Sequence, residues 1–180
     1  MTKTCSDALN YSKVRKCHEC ETLGKRHVPS FGTPAADLMI IGQSPGVTEV
    51  KKREPFCGES GDLIEGLLAE LLLSKDEVYI ANTIKCHPEG NRRGYLNEIK
   101  QCFTSWLKYE INEVNPKVLL LLGRDAWSIT PKIWNPKHGR ALRTKTTSFI
   151  YWYHPAYFLR RADIRGFLKV AELIKRELER

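Results

Sequence analysis

This 180-residue sequence predicts an α/β fold around a mostly parallel central sheet of four strands. Short apolar runs that end in glycine or a polar residue recur along the chain, as buried strands feeding loops do. Stretches with apolar residues at helical spacing separate them, and strands alternating with helices build parallel sheets. The residues with chemical character fall directly after the runs, at the carboxyl ends of strands where such sheets bind ligands.

Asp37 to Gly42 (DLMIIG) reads as the first strand. Leu63, Ile64, Leu67, Leu68, Leu71 and Leu72 then form a helical stripe, with Ser60 placed to cap its start. Val78 to Ala81 is the second strand and is followed by Asn82. Tyr95, Ile99, Cys102, Phe103, Trp106, Leu107 and Ile111 mark a long amphipathic helix. Lys117 to Leu122 is the third strand, closed by Gly123 and followed by a short helix. Ser148 to Tyr153 (SFIYWY) is the fourth and ends at His154-Pro155. Ile164, Phe167, Leu168, Ala171, Ile174 and Leu178 stripe the last helix. The chain carries no internal repeat, low-complexity tract or linker, so residues 1–180 are expected to form one domain.

Lysine and arginine number 29 against 21 acidic residues, a formal charge of +8. The cations cluster at Lys25-Arg26, Lys51 to Arg53, Arg92-Arg93, Lys137 to Lys145 and Arg160 to Arg165, mostly in expected loops. Such patches point to a nucleic-acid partner. In the last helix Glu172, Lys175, Glu177 and Arg180 alternate in sign, which is a solvated surface. The N-terminus MTKTCSDALNYSKVRK lacks a signal-peptide core, and runs such as Val118 to Leu122 are too short to cross a bilayer. No membrane association is expected. A monomer in the reducing cytoplasm, working with DNA, is the expectation.

Six cysteines in a reducing compartment favour metal ligation over disulfides. Cys17 and Cys20 form a C-x-x-C pair, and Cys86 and Cys102 lie far downstream with fifteen residues between them. Zinc usually recruits a second tight knuckle, whereas ligands arriving on separate backbones suit a larger centre such as a [4Fe–4S] cluster. The cysteines alone leave a cluster, a zinc ion and buried structural thiols open. Cys5 and Cys57 receive no role.

Gly42-Gln-Ser-Pro-Gly46 is not a P-loop, because no Gly-Lys-Ser/Thr follows. Singly, it is a tight turn, Phe56 is an edge of the core, Asn82 ends a strand, and His154 is a structural histidine. Taken in order, C-x-x-C, GQSPG, PFCGESGDLI, ANTIKCHPEGNRR, Glu98 to Cys102 and HPAYFLRR resemble family 4 of the uracil-DNA glycosylase superfamily, from Cys17 to about Arg161.

That resemblance implies a three-layer α/β/α fold, a [4Fe–4S] cluster on Cys17, Cys20, Cys86 and Cys102, and hydrolysis of a base–deoxyribose bond. It places Phe56 against an extruded base, with Gly42 and Gly46 shaping the turn beneath. Asn82 reads the pairing edge, and His154 donates toward the O2 oxygen of the leaving base. Tyr157-Phe158-Leu159 with Arg160 and Arg161 corresponds to the loop that presses into the minor groove. Arg92 and Arg93, between two cluster ligands, face DNA. Family 4 members usually carry Glu then Ala where this chain has Gln43 and Ser44, while Glu49 matches a later family carboxylate. Gln43, Ser44, Glu49 and backbone groups are therefore all candidates to hold the attacking water. The stricter uracil enzymes place a tyrosine where this chain has Gly46, so that volume is expected to be open unless another side chain fills it. Uracil is the default substrate. A C5-modified pyrimidine excised from foreign DNA is the rival, and a non-catalytic DNA-binding protein is a third reading.

Overall fold

The computed structural model describes residues 27–130 and 137–180. Cys5, Cys17, Cys20, Lys25 and Arg26 lie outside the described residues. One sheet contains six strands in the order β1-β3-β2-β4-β6-β5: β1 Phe31–Gly32, β2 Leu38–Gly42, β3 Tyr79–Asn82, β4 Val118–Leu122, β5 Ala141–Arg143 and β6 Ser148–Trp152. The four strands expected from sequence are the parallel centre, β3-β2-β4-β6. The expectation of four strands in all is corrected by two antiparallel edges, β1 on β3 and β5 on β6. Two or three residues are too few to show a strand's alternating period, which is why the sequence did not reveal them.

The inner strands β2, β3 and β4 are buried on both faces, and β6 is buried on one with Phe149 and Tyr151 half-buried on the other, so neighbours along a strand alternate between two cores. Leu38 and Ile40 of β2 join one core and Met39 and Ile41 the other. The first core is closed by α2 (Glu59–Glu70), α6 (Pro155–Leu159), α7 (Ile164–Leu168) and α8 (Val170–Leu178). Helix α2 contributes Ile64, Leu67 and Leu68 to it, and the later helices add Phe158, Phe167 and Ile174. The second core receives Leu107 and Val114 from the long helical segment and Ala126 from α5 (Gly123–Trp127). That long segment comprises α3 (Leu96–Cys102), a π-helical stretch Phe103–Leu107 and α4 (Lys108–Val114). Helices thus cover both faces, and the three-layer architecture holds.

Local departures have simple causes. Helix α2 starts at Glu59 behind Gly58, and no side chain caps it, so the expected cap at Ser60 is corrected. The last helical stripe is two helices, α7 and α8, with Lys169 between them. Glu177, expected on a solvated surface, is corrected: it is buried and accepts from Arg143 at 2.8 and 2.6 Å and from Ser148 at 2.8 Å. Two short helices were expected to be loops: α1 (Val47–Lys52), which holds the Lys51-Lys52 pair, and α6, which holds the Tyr157-Phe158-Leu159 segment. No helix among the described residues is long and apolar enough to cross a membrane.

The parallel strands all end on one side. The chain runs from β2 outward to β3 on one flank, then crosses back to β4 and on toward β6 on the other, so the order reverses between β2 and β4, beside the end of β2. Register pairs Gly42 with Asn82 at that edge.

Candidate active site

A pocket of about 420 Å³ opens over the ends of β2 and β3, lined among others by Ser44, Gly46, Glu49, Phe56, Asn82 and His154. The fold therefore gathers most of the expected pocket residues from four separate segments. Gly42 is the floor. A Cβ there would overlap Phe56 Cζ and lie 2.6 Å from Asn82 Oδ1, so only glycine lets the ring and the amide converge.

Phe56 is buried and sits at φ 51°, a left-handed conformation that is strained for a bulky residue. Surrounding contacts hold it there. Gly61 fits against the Phe56 carbonyl where a side chain could not, and Lys75 Nζ lies 3.5 Å from the same oxygen while pairing with Glu54. The ring faces His154, with centroids 6.3 Å apart and planes 29° from parallel. An aromatic face and an imidazole thus bound the space in which a planar ring can sit.

His154 follows β6 and caps α6. Its Nδ1 accepts from the Ala156 amide at 3.3 Å, so the neutral ring carries its proton on Nε2. Desolvation of the ring and, secondarily, the Arg160 guanidinium lower its pKa to about 4. At neutral pH the residue is an uncharged donor. Asn82 is 4% exposed, and its amide carries one acceptor and two donors for a ring edge.

The turn from Gly42 to Gly46 hangs on the segment after β3. Thr83 donates to the Gly42 carbonyl from its amide at 3.0 Å and its hydroxyl at 2.7 Å. The Ile84 amide donates to the Gln43 carbonyl at 3.0 Å. Ser44 and Glu49 line the pocket, whereas Gln43 is half-buried and is not among its lining residues. The open volume expected beside Gly46 is corrected: a Cβ on Gly46 would meet Glu49 Oε2 at 2.5 Å, so the carboxylate fills that space.

Cys86 and Cys102 are buried at 7% and 6% exposure. The Lys85 amide donates to Cys102 Sγ at 3.3 Å, and His27 Nδ1 lies 2.8 Å from Cys86 Sγ. The Lys85 N–H directed at the Cys102 sulfur suits a thiolate ligand. His27 also bridges to Cys86 as an antiparallel backbone pair, which brings the chain seven residues after Cys20 alongside Cys86. The chemistry of Cys86 and Cys102 thus fits thiolate ligation of a metal centre. Among the described residues alone, no group of three potential ligands gathers.

The expected DNA-facing residues divide. Arg160 and Arg161 are exposed, and Arg161 stacks 4.6 Å over Tyr157. Leu159 is half-buried. Phe158 is corrected: at 4% exposure it packs in the core between Trp152 and Phe167, because α6 turns it inward. Arg92 grips Glu98 through two nitrogens, at 2.9 and 2.7 Å, and Arg93 pairs with the buried Asp125. Both arginines are committed to carboxylates as well as facing outward. Sequence reasoning gave no place in the site to Thr48, Gly58, Glu59, Ser60 or Lys75. The first four line the pocket and the last props Phe56. Asn91, also a lining residue, was noted only as part of the cluster loop.

A strand-end pocket with an aromatic wall, a buried amide and a neutral imidazole donor can hold and polarise a planar heterocycle. Known proteins share the sequence around it. The sequence model of the Uracil DNA glycosylase superfamily matches residues 29–175. The Type-4 uracil-DNA glycosylase of Saccharolobus solfataricus is 34% identical over 171 residues, covering 87% of this chain and 79% of that protein. Its namesake in Thermotoga maritima is 30% identical over 183 residues, covering 92% and 93%. That of Archaeoglobus fulgidus is 29% identical over 179 residues, covering 89% of each. The matched span takes in the whole described sheet and every pocket residue, so the chain belongs to the uracil-DNA glycosylase superfamily.

Proposed function

We propose that this chain, as one domain and a monomer, is a DNA glycosylase that removes uracil and leaves an abasic site. The convergence of Phe56, Asn82 and His154 on one pocket carries this reading. A base must leave the stack before its glycosidic bond is reached. Phe56 stacks on the extruded ring and Asn82 pairs with its edge. As the bond breaks, negative charge grows on the base, and the Nε2–H of neutral His154 donates toward its O2. A neutral donor accepts this role without transferring its proton, which its low pKa keeps available across physiological pH. Ser44 and Glu49 hold the water that attacks the sugar, with Gln43 supporting the turn beneath. The C5-modified and non-catalytic readings draw no support from the relatives' names. Incubation with duplexes bearing uracil, followed by alkaline cleavage, is expected to nick at the uracil. An intact strand would overturn the reading.

Cys17, Cys20, Cys86 and Cys102 hold a [4Fe–4S] cluster, rather than zinc, whose contribution when bound is to tie the N-terminal segment to the fold. Anaerobically purified protein is expected to be brown, with about four irons per chain for a four-iron cluster. Cys86→Ala and Cys102→Ala lose iron, whereas Cys57→Ala retains it. Stoichiometric zinc without iron would count against the assignment.

Arg160 and Arg161 meet phosphates flanking the extruded base, with Tyr157 and Leu159 beside them at the minor groove. Each phosphate contact contributes roughly −0.9 to the slope of log K against log salt. Arg160→Gln with Arg161→Gln therefore flattens that slope by about 1 to 2 and weakens binding evenly across sequences. An unchanged slope would remove these two residues from the interface.

A further inference from the structure

The turn that carries Gln43, Ser44 and Gly46 has three carbonyls held from one place. Those of Gly42 and Gln43 accept from Thr83 and Ile84. The third, that of the buried Pro45, lies 2.8 Å from Nδ1 of His87. A carbonyl only accepts, so His87 donates, with its proton on Nδ1. His87 is itself 5% exposed and follows Cys86 directly in the chain. Two of these anchors are the backbone amides of Thr83 and Ile84, the first joined by the Thr83 hydroxyl. The third is a side chain, supplied by the residue next to a proposed cluster ligand.

We propose that His87 is a positioning residue that couples the cluster-bearing segment to the water-holding turn. Pro45 lies between Ser44 and Gly46, and its carbonyl orientation sets the peptide plane leading into α1, where Glu49 resides. The neighbouring backbone is pinned from beneath as well. Lys85 Nζ forms a buried pair with Glu110 at 2.5 Å and reaches Ser30 Oγ at 2.7 Å, so the segment 83–87 is a bar anchored at its middle as well. One end of that bar follows Asn82, and the other carries Cys86. Through His87 it also fixes the far side of the turn. Without that donor, a buried carbonyl loses its hydrogen bond and Ser44 and Glu49 lose their fixed spacing from the base pocket.

This inference rests on the proposed glycosylase activity for its kinetic consequence, and its structural consequence is measured separately. The test compares wild-type protein, His87→Ala and His87→Asn, each purified anaerobically with its metal. Asparagine places an amide N–H where Nδ1 of histidine stood. In His87→Ala, iron and sulfide content and DNA affinity are expected to stay within about twofold of wild type. Single-turnover release of uracil is expected to slow by about tenfold, the effect of one lost buried hydrogen bond. Amide exchange in a peptide covering residues 43–50 is expected to quicken by a similar factor. His87→Asn restores both. Wild-type exchange and turnover in His87→Ala would overturn the proposal, as would a His87→Asn protein no better than the alanine variant. Loss of iron in His87→Ala would also overturn it, placing the residue in support of the metal centre and not of the turn. If wild-type protein released no uracil, the glycosylase reading would fail, and the exchange comparison would still decide the role of His87.

Discussion

His154→Ala is expected to release uracil about 10²–10³-fold more slowly than wild type, the usual effect of removing one pre-aimed donor from a site of developing charge. DNA affinity is expected to change within about threefold, because phosphate contacts dominate it. Single-turnover alkaline cleavage and a binding titration separate the two effects, and equal losses in both would assign His154 a structural role. Its protonation adds a second signature. The folded-state pKa of about 4 lies below the ordinary value of 6.5, since desolvation and then Arg160 oppose the cation. The neutral donor therefore persists well below neutrality, and turnover should show no inflection between pH 6 and 7 from this residue. Stability moves the other way with acid. The unfolded chain takes up this proton near pH 6.5 and the folded chain only near 4, so folding is progressively disfavoured as pH falls between them. The effect is on the order of 3 kcal/mol. Urea titrations at pH 7 and pH 5 are expected to show a smaller loss of stability for His154→Gln than for wild type.

The central sheet was legible because β2, β3 and β4 are buried on both faces, and β6 carries aromatic residues on its half-buried face. LMIIG, YIAN, VLLLL and SFIYW are continuous apolar or aromatic runs closed by a glycine, an asparagine or a His-Pro. Asn82 and His154 were legible for the same reason, since polar residues directly after such runs fall at the ligand-binding edge. The edges were not. Phe31–Gly32 and Ala141–Arg143 are defined by their partners across the sheet, and nothing local distinguishes them from loop. Phe158 misled in a different way. In sequence, YFLRR reads as an apolar wedge flanked by cations, but His154 caps a short helix that directs Phe158 toward Trp152 and Phe167 and leaves the arginines outside. Contacts between distant segments were illegible in principle. Lys75 reaches Phe56 across 19 positions and His87 reaches Pro45 across 42, and neither pairing has a sequence spacing that announces it. Gly46 also misled, because the volume a tyrosine would take is filled by Glu49, three residues along.

Gly42→Ala is expected to slow turnover by at least about 100-fold, more than its single added methyl would imply. Gly42 pairs in register with Asn82 at the carboxyl edge of the sheet, and its α-carbon lies beneath the space where Phe56 and Asn82 converge. A methyl there overlaps Phe56 Cζ and stands 2.6 Å from Asn82 Oδ1. Neither neighbour has an easy retreat. Phe56 already occupies a strained φ of 51°, with its carbonyl packed against Gly61 and within reach of Lys75. Asn82 is buried at the end of β3, where its backbone is held by the sheet. The strain is therefore relieved by rotating the amide and tilting the ring, which displaces both groups from the base by about an ångström. Misplacement of that size costs about 100-fold in a reaction that depends on orientation, and a partly filled pocket reduces entry of the base further. The β2 backbone keeps its hydrogen bonds, so melting temperature should shift by only a few degrees, consistent with about 1 kcal/mol of local overpacking. DNA affinity is expected to remain close to wild type, because Arg160 and Arg161 are untouched. Single-turnover cleavage, thermal melting and binding on the same preparation distinguish this outcome from simple unfolding. Wild-type turnover in Gly42→Ala would mean that Phe56 and Asn82 do not jointly hold the base, and would remove the geometric basis of the proposed mechanism.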